Sequence, residues 1–455
     1  MKFYSTNRKG PEVSLGEAVL RGLAEDGGLY MPKEIPVLPP EFFDALGRMS
    51  FTEISFEVGR ALVGDEVPPE KLRAIIEDAF DFPVPLVRLD ERVTVLELFH
   101  GPTLAFKDFG ARFMARLMSH FVCKGTRGEL SGDGGEYVVL VATSGDTGGA
   151  VAHGFLGVPG IRVVVLYPSG QVSEVQEKQL TTLGGNITAV EVAGSFDECQ
   201  RMVKRALADP ELRTHRRLTS ANSINIARLL PQSFYYFYGF AQGVARRNGA
   251  GPVPTGNAPV VFSVPSGNFG NLTAGLLARR MGLPVARFVA ATNANDAVPC
   301  YLATGKFAPL PSRPTMSSAM DVGNPSNFAR LLELYGPSRE EGLERMRAEI
   351  WGSRHSDEET KQAIARCWQQ HGYLLDPHSA VGWLGLEAFC REHAAPVQGI
   401  VLATAHPAKF APIVERAAGT TVPMPARIRE ALSKDKKAVS LGNDYELLRS
   451  LLLAR

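Results

Sequence analysis

Short apolar runs repeat along the chain from about residue 91, and each is followed by a polar or glycine-rich turn and then by a helical pattern. The predicted strands cover residues 137–142, 161–167, 186–192, 259–264, 286–291 and 399–403. These runs are continuous and rich in β-branched residues, which is typical of parallel strands covered by helices on both faces. Open α/β sheets bind ligands at the carboxyl ends of their strands, so the turns there are the first candidates for function.

The first 90 residues have a helix-like periodicity interrupted by proline and glycine. Ser14 and Glu17 have the spacing of a capping box and predict the start of one helix, and another is predicted over residues 69–80. We therefore expect a mainly helical region over residues 1–90, a smaller α/β domain over 91–230 and a larger α/β domain over 231–455. A cleft between the two α/β units is expected to hold the site.

Composition narrows the class of protein. The 455 residues are 45% apolar and 21% charged, with a formal net charge of +1, which argues against a general affinity for nucleic acid or anionic membranes. No apolar run is long enough to span a bilayer, and the first residues lack the apolar core of a secretory signal. The five cysteines are widely spaced, so we expect a reducing cytoplasm, with neither a disulfide framework nor a metal site.

Lys107 stands between Phe106 and Phe109, just after a Gly-Pro-Thr turn and at the expected start of a helix. Apolar neighbours favour the neutral, nucleophilic form of a lysine, which can form a Schiff base with a carbonyl compound or with pyridoxal phosphate. On local context alone, a surface lysine whose stem covers apolar neighbours is the simpler interpretation.

Residues 263–271 form the strongest of the candidate turns. Gly267, Asn268, Phe269, Gly270 and Asn271 follow a predicted strand and open a predicted helix. Glycines allow close approach of the backbone, and the N–H groups at a helix start bind phosphate. The turn lacks both the dinucleotide fingerprint and the P-loop pattern. A tight turn without a ligand is the alternative.

A second strand–turn–helix junction lies at residues 143–149. Ser144, Gly145, Asp146 and Thr147 could bind a carboxylate or phosphate through hydroxyl and N–H groups, although Asp146 adds a negative charge that must be offset. The alternative is simple N-capping by Ser144 or Thr147.

A third candidate covers residues 220–228. Asn222 and Ser223 precede Arg228, whose guanidinium matches the geometry of a phosphate. The alternative is that Ser223 or Asn225 caps a helix and that Arg228 lies at the surface.

Thr404 lies at the end of the last predicted strand and could offer its hydroxyl to a ligand. His378 and His406 could act as acids or bases, but a structural imidazole is the simpler interpretation of each. No arrangement of Ser, His and Asp at a family spacing stands out.

Five motifs, in their order, resemble the threonine synthase family in its longer bacterial and fungal branch. They are Phe-Lys-Asp-Phe at 106–109, Thr-Ser-Gly-Asp-Thr-Gly at 143–148, Asn-Ser-Ile-Asn at 222–225, Pro-Ser-Gly-Asn-Phe-Gly-Asn at 265–271 and Thr-Ala-His-Pro-Ala-Lys-Phe at 404–410. The opening Tyr-Ser-Thr-Asn-Arg and the segment Asp-Gly-Gly-Leu-Tyr-Met-Pro also resemble that family. The likeness covers nearly the whole chain, and the joint occurrence of the motifs is far more specific than any one of them.

The resemblance implies the fold type II architecture of pyridoxal phosphate enzymes, similar to tryptophan synthase β, with two parallel or mixed-sheet α/β domains. It implies that Lys107 holds the cofactor, that residues 267–271 bind its phosphate and that Thr404 meets its pyridine nitrogen. It places Thr103 and the turn at 144–147 at the substrate, and Asn222, Ser223 and Arg228 at the substrate's phosphate. Many relatives of the wider fold have asparagine where Asp146 stands, contacting the cofactor's phenolic oxygen. An ionised aspartate cannot donate that hydrogen bond.

The implied reaction converts O-phospho-L-homoserine and water into L-threonine and phosphate, the last step of threonine biosynthesis. One alternative is a related phospho-lyase that gives 2-oxobutanoate, ammonia and phosphate. Another is a non-catalytic protein that binds a phosphorylated metabolite. The expected state is a monomer or a homodimer, without nucleic acid or membrane partners.

Overall fold

A computed structural model describes residues 1–123, 136–248, 258–336, 339–393 and 396–454. The chain divides into two compact units, each assembled from separate stretches of sequence. Unit 1 comprises Met1, Pro32–Phe106 and Leu229–Pro423, and unit 2 comprises Lys2–Met31, Lys107–Arg228 and Met424–Arg455. The three-part division at residues 90 and 230 stays a prediction.

The strands, in chain order, are β1 (Lys2–Ser5), β2 (Val13–Ser14), β3 (Tyr30–Pro32), β4 (Leu86–Arg88), β5 (Val93–Glu97), β6 (Tyr137–Ala142), β7 (Ile161–Pro168), β8 (Ile187–Val192), β9 (Arg217–Ser220), β10 (Val260–Pro265), β11 (Arg287–Thr292), β12 (Ile350–Arg354), β13 (Gln398–Ala403) and β14 (Val439–Leu441). All six predicted strands are present, with ends that differ from the predictions by one residue at most.

The helices are α1 (Leu15–Arg21), α2 (Pro40–Leu46), α3 (Phe51–Val63), α4 (Pro69–Ala79), α5 (Lys107–Cys123), α6 (Asp146–Phe155), α7 (Glu174–Thr181), α8 (Phe196–Ala208), α9 (Pro210–His215), α10 (Ile226–Leu229), α11 (Phe234–Asn248), α12 (Gly270–Arg280), α13 (Ala297–Thr304), α14 (Phe328–Tyr335), α15 (Arg339–Glu349), α16 (Asp357–His371), α17 (Pro377–Glu392), α18 (Ala411–Ala418), α19 (Ala426–Leu432) and α20 (Tyr445–Ala454). Short 3-10 helices cover Gly64–Glu66, Leu230–Ser233, Ser318–Met320 and Pro407–Phe410.

Unit 1 is built on a six-stranded sheet with the order β12-β11-β10-β13-β5-β4. Its pairs are parallel except for β4 with β5. Strands β10 and β13 are buried along their whole length, as their continuous apolar runs predict. The parallel register brings the turns after β10, β11 and β13 to one edge of this sheet.

Unit 2 contains a five-stranded parallel sheet with the order β14-β8-β7-β6-β9. One of its faces packs against α8 and α20 through a core that includes Val138, Leu140, Leu166, Met202 and Leu448. The turn after β6 follows the carboxyl end of a buried strand that has a neighbouring strand on each side. Parallel sheets with helices confirm the predicted α/β class.

The predicted helical start at Ser14 is confirmed. The Ser14 side chain accepts from the backbone N–H of Glu17, and the Glu17 carboxylate accepts from the backbone N–H of Ser14. The predicted helix over 69–80 is α4. No helix in the described part of the chain is long and apolar enough to cross a membrane.

Candidate active site

Lys107 is the first residue of α5, as predicted, and the chain passes from unit 1 to unit 2 between Phe106 and Lys107. Its side chain is only 16% exposed, and its Nζ lies 4.0 Å from Oδ2 of Asp146. Most of this side chain is withdrawn from solvent, which argues against the interpretation as a surface lysine. The amine faces a buried carboxylate within unit 2.

The turn between β6 and α6 brings that carboxylate into place. The Thr143 hydroxyl accepts from the backbone N–H groups of Gly145 and Gly148, at 3.0 and 2.8 Å. Neither Ser144 nor Thr147 caps the helix, since the N-cap is Gly145, which has no side chain to cap with. Asp146 thus becomes the first residue of α6, where the positive end of the helix dipole favours a carboxylate.

Asp146 also contacts a residue that lies 30 positions later in the chain. The Gln176 amide donates a 3.0 Å hydrogen bond to Oδ1 of Asp146, and both side chains are buried. Gln176 was not among the residues predicted from the sequence. The capping-box spacing between Ser173 and Gln176 could have located the start of α7, but it carries no sign of the contact with Asp146.

The segment at 220–228 is tied to the end of β6. The Asn222 side chain donates to the carbonyl of Ala142 at 2.9 Å and accepts from the Ala142 N–H at 3.3 Å. Asn225 accepts from the N–H of Ala227 at 3.0 Å, which bears out the capping alternative for this residue. Ser223 is half-buried.

Arg228 is buried, so the alternative that placed it at the surface is wrong. Its Nη1 donates to the carbonyl of Ala221 at 2.6 Å. Burial lowers the pKa of Arg228 to about 10, and the negative charge of Asp108 opposes this change. A Cβ at Gly110 would lie 2.7 Å from Nε of Arg228, so the helix start leaves room for the guanidinium only because residue 110 is glycine.

In unit 1, the turn between β10 and α12 has a backbone that few residues could adopt. Phe269 is left-handed with a φ of 62°, and a Cβ at Gly267 would lie 2.6 Å from Cα of Met320. The side-chain oxygen Oδ1 of Asn268 accepts from the N–H and the hydroxyl of Ser326, at 2.7 and 2.9 Å. The Asn271 amide donates to the carbonyl of Pro265 at 2.8 Å. The side chains of this turn are thus used to hold its shape.

The turn leads directly into the start of helix α12. The first N–H groups of an α-helix have no partner within the helix, and α12 begins at Gly270 without an acidic residue in its first turn. A phosphate would meet N–H groups and the positive end of the helix dipole there. The turn therefore fits the phosphate of a cofactor.

Thr404 directly follows β13 and is buried in unit 1. Its N–H donates to the Ser379 hydroxyl at 3.1 Å, and its carbonyl accepts from the N–H of Phe106 at 2.9 Å. The Ser379 hydroxyl in turn donates to Asp376, the N-cap of α17. Hydrogen bonds through Ser379 and Asp376, neither of which was predicted as a site residue, thus help to fix the position of Thr404.

The two candidate histidines have structural partners. Nε2 of His378 accepts from the N–H of Ala319 at 3.1 Å, so Nδ1 carries the proton that faces Asp376 at 2.7 Å. Nδ1 of His406 accepts from the N–H of Ala408 at 3.1 Å. Burial lowers the pKa of His406 to about 4, which keeps this ring neutral near pH 7. Both contacts agree with the simpler interpretation.

Thr103 is fully buried in unit 1. Its carbonyl accepts from Nζ of Lys409 at 2.9 Å, which ties the Gly-Pro-Thr turn to the segment after β13. This contact fixes the backbone that leads to Lys107.

Known proteins are similar to this chain along its whole length. The family model described as "Pyridoxal-phosphate dependent enzyme" matches residues 81–403, "Threonine synthase N terminus" matches 2–80, and "Threonine synthase, C-terminal" matches 379–452. The threonine synthase of Escherichia coli is 43% identical over 100% of this chain and 99% of that protein.

The chain belongs to the threonine synthase family.

Two crystal structures support the assignment to this family. The threonine synthase of Escherichia coli has a TM-score of 0.88 at 41% identity, with 100% of both chains covered. The PLP-bound threonine synthase of Brucella melitensis has a TM-score of 0.89 at 35% identity, with 100% of this chain and 99% of that chain covered. The fold type II architecture expected from the sequence is confirmed, and with it membership of a pyridoxal-phosphate-dependent enzyme family.

Proposed function

We propose that this protein is a pyridoxal-phosphate-dependent lyase that converts O-phospho-L-homoserine and water into L-threonine and phosphate. The observation that carries the proposal is the mostly buried side chain of Lys107, which stands at a helix start beside the carboxylate of Asp146. A lysine withdrawn from solvent in this way is suited to covalent attachment of a carbonyl cofactor. The full-length likeness to threonine synthases supports the choice of substrate.

The residues proposed to hold the cofactor have distinct tasks. Lys107 binds it covalently, residues 267–271 bind its phosphate through backbone N–H groups, and Thr404 offers a hydroxyl to its ring nitrogen. When bound, pyridoxal phosphate draws electrons from the substrate's Cα and so makes the proton there more acidic.

The proton transfers are assigned to Lys107. Once the substrate's amine has replaced it, its Nζ is free to take the Cα proton and later to return a proton. Asp146 faces this nitrogen at 4.0 Å and favours its protonated form after each uptake. A proton is lost from Cβ as phosphate leaves from Cγ, a proton is added at Cγ to form the methyl group, and water adds its hydroxyl at Cβ and releases its other proton. Lys107 then releases the product.

The residues proposed for the substrate are Thr103, Ser144, Gly145, Asp146, Thr147, Asn222, Ser223 and Arg228. For Arg228, the proposal predicts that Arg228→Ala raises KM for O-phosphohomoserine more than it lowers kcat. The deeply placed guanidinium also faces Asp108, so Asp108→Asn is the control for a general loosening of the start of α5. An unchanged KM in a folded Arg228→Ala protein would remove Arg228 from the substrate's phosphate.

One experiment separates the proposal from its rivals. The purified protein is scanned for the visible absorbance of bound cofactor, O-phosphohomoserine is added, and phosphate, threonine and 2-oxobutanoate are measured. We expect a coloured protein that releases phosphate and threonine in equal amounts. Phosphate with 2-oxobutanoate and ammonia would establish the phospho-lyase instead, and a colourless protein that binds the substrate without turnover would establish the non-catalytic alternative.

We also propose a cytoplasmic location and a monomer or homodimer. The five cysteines are free in the structure, which suits a reducing compartment. Fractionation of the source cells tests the location. Light scattering on the purified holoenzyme tests the mass, and a species larger than a dimer would contradict the expected assembly.

A further inference from the structure

We propose that Gln176 is a positioning residue for Lys107 and that it acts by holding the carboxylate of Asp146 towards the lysine nitrogen. The inference rests on the proposed function in one respect, which is the role of Lys107 as the cofactor-binding lysine. It adds a residue outside the motifs that carry the family resemblance.

The two ends of the Gln176 amide have different tasks. Its Oε1 accepts from the N–H and the hydroxyl of Ser173, at 3.2 and 3.1 Å, and so completes the capping box of α7. A backbone N–H can only donate, which assigns the oxygen to that side. The Nε2 then points to Asp146 and donates to Oδ1 at 3.0 Å. The amide is thus held at both ends.

Position 176 has glutamine where the other capping boxes of the described chain have glutamate. Four other capping boxes in the described chain have glutamate at the third helical position, namely those of Ser14 with Glu17, Ser50 with Glu53, Ser195 with Glu198 and Ser356 with Glu359. A glutamate at 176 would cap α7 as well but would place a second negative charge against Asp146. Only the neutral amide can complete the cap and also donate to the carboxylate.

The backbone of the β6–α6 turn is fitted to the same amide. Gly145 has a φ of 140°, and a Cβ there would lie 2.5 to 2.6 Å from the carbon, nitrogen and oxygen of the Gln176 amide. The amide group therefore packs directly on the turn that carries Asp146. Any side chain at 145 would displace one or the other.

The position of the Asp146 carboxylate in turn determines the charge close to the nitrogen of Lys107. One carboxylate oxygen takes the Gln176 hydrogen bond, and the other lies 4.0 Å from Nζ of Lys107. Two further charged residues lie in the first turns of α5, the buried Asp108 and Arg112. The charge of Asp108 acts on the guanidinium of Arg228. Without the amide, the Asp146 carboxylate can turn away, and the positive charge on the lysine nitrogen loses a nearby anion.

The test is a pH titration of the visible absorbance of the bound cofactor in the holoenzyme, because this band reports the protonation of the Lys107 nitrogen. In Gln176→Met the midpoint should fall by about one pH unit, since an opposite charge within about 4–6 Å shifts a titration by about 1–3 units. Asp146→Asn should lower the midpoint at least as much. The double variant should titrate like Asp146→Asn alone, because Gln176 acts only through Asp146.

Two further variants make the result decisive. Ser173→Ala weakens the cap of α7 but leaves the contact with Asp146, so its midpoint should stay that of the unchanged protein. Gln176→Asn keeps an amide but is one methylene too short to reach Asp146, and it should lower the midpoint even if Gln176→Met does not fold. An unchanged midpoint in folded Gln176→Met or Gln176→Asn would overturn the proposal, as would a further fall in the double variant.

The titration needs no substrate, so its outcome is separate from that of the proposed function. A shifted midpoint in a protein that forms no threonine would reject the proposed reaction and leave the role of Gln176 in place. Threonine formation with an unshifted midpoint would do the reverse.

Discussion

The turns after β6 and β10 have the same position between a buried strand and a helix, but only the turn after β6 carries a charged side chain. Each follows a buried parallel strand and opens a helix, and in each the N-cap residue makes no side-chain cap. The turn after β10 has no acidic residue in the first turn of its helix, and its asparagine side chains bond to protein groups. The turn after β6 places Asp146 at the first helical position and pairs it with Gln176 and Lys107.

This difference in charge indicates that the two strand–helix turns have different functions. A helix start without its own anion attracts an anionic ligand, whereas a helix start that already carries a carboxylate presents that charge to a cation. We therefore expect the β10–α12 turn to bind phosphate and the β6–α6 turn to act on the protonation of Lys107. Substitutions in each turn should give different kinds of defect.

The largest effect is expected at Lys107, the cation that the carboxylate of the β6–α6 turn faces. Lys107→Ala removes the amine that binds the cofactor and moves the Cα proton, so turnover should fall by at least about 10⁴-fold. The visible absorbance of bound cofactor should disappear with it. Product formation and the absorbance spectrum measure both effects, and substantial turnover by the variant would reject the assignment of Lys107.

Gly267→Ala should be the next most severe change, and it should act on cofactor affinity. Its Cβ would lie 2.6 Å from Cα of Met320 and 3.1 Å from that residue's carbonyl carbon and oxygen, so the backbone of the phosphate turn must move. Loss of well-placed hydrogen bonds to a charged phosphate costs about 1.5–3 kcal/mol, or roughly 10- to 150-fold in Kd. Titration of the cofactor-free protein with pyridoxal phosphate measures this.

A matched control for Gly267→Ala lies in α3. A Cβ at Gly59 would have its nearest contact at 3.4 Å, from the ring of Phe234, and Gly59 lies inside a helix. Gly59→Ala should leave the Kd unchanged. Equal affinities of all three proteins for the cofactor would contradict a phosphate site at residues 267–271.

Ser326→Ala tests a hydrogen bond that holds the same turn, and we expect it to have a smaller effect than Gly267→Ala. It removes the hydroxyl that donates to Oδ1 of Asn268 and leaves the backbone N–H of residue 326 in place. The loss of one hydrogen bond of two should cost about 0.5–1.5 kcal/mol, or about 2- to 12-fold in Kd for the cofactor. If Ser326→Ala changed the pH midpoint of the absorbance and left the Kd for the cofactor unchanged, the two turns would not have the separate roles proposed for them.

Local sequence was enough to predict strands β6 and β10 and the turns that follow them. The runs at 137–142 and 259–264 are continuous and β-branched, and burial of β6 and β10 in parallel sheets requires little else. Strands β9 and β14 were not predicted, because they are short and contain charged or polar residues that only their sheet neighbours hold in an extended form.

Contacts over long sequence distances could not be predicted in the same way. Gln176 meets Asp146 across 30 residues, and Ser326 meets Asn268 across 58. The burial of Arg228 depends on Asp108, 120 residues earlier, and on the missing side chain of Gly110. The motifs indicated which residues matter, and the fold determined which neighbours hold them.

The last prediction concerns stability and not cofactor affinity, and it is made for Asp321, next to the residue that packs on Gly267. Burial raises the pKa of Asp321 to about 6, although Thr315 and Asn293 donate hydrogen bonds that act in the opposite direction. An unfolded aspartate titrates near about 3.9. The folded protein therefore binds more protons than the unfolded chain between these two values.

The sign of the pH effect follows from this excess of protons. Protonated Asp321 stabilises the fold fully below about pH 4, and this contribution is lost as the pH rises through about 6. After allowance for solvent screening of a side chain that is only partly buried, the loss amounts to about 1–2 kcal/mol. Asp321→Asn cannot titrate, so its free energy of unfolding in urea should change less between pH 4 and 7, by about that amount. Asp435→Asn, at an exposed position, should keep the pH dependence of the unchanged protein. If both variants gave the same slope, the titration of Asp321 would not contribute to stability, and support of the β10–α12 turn would be independent of pH in this range.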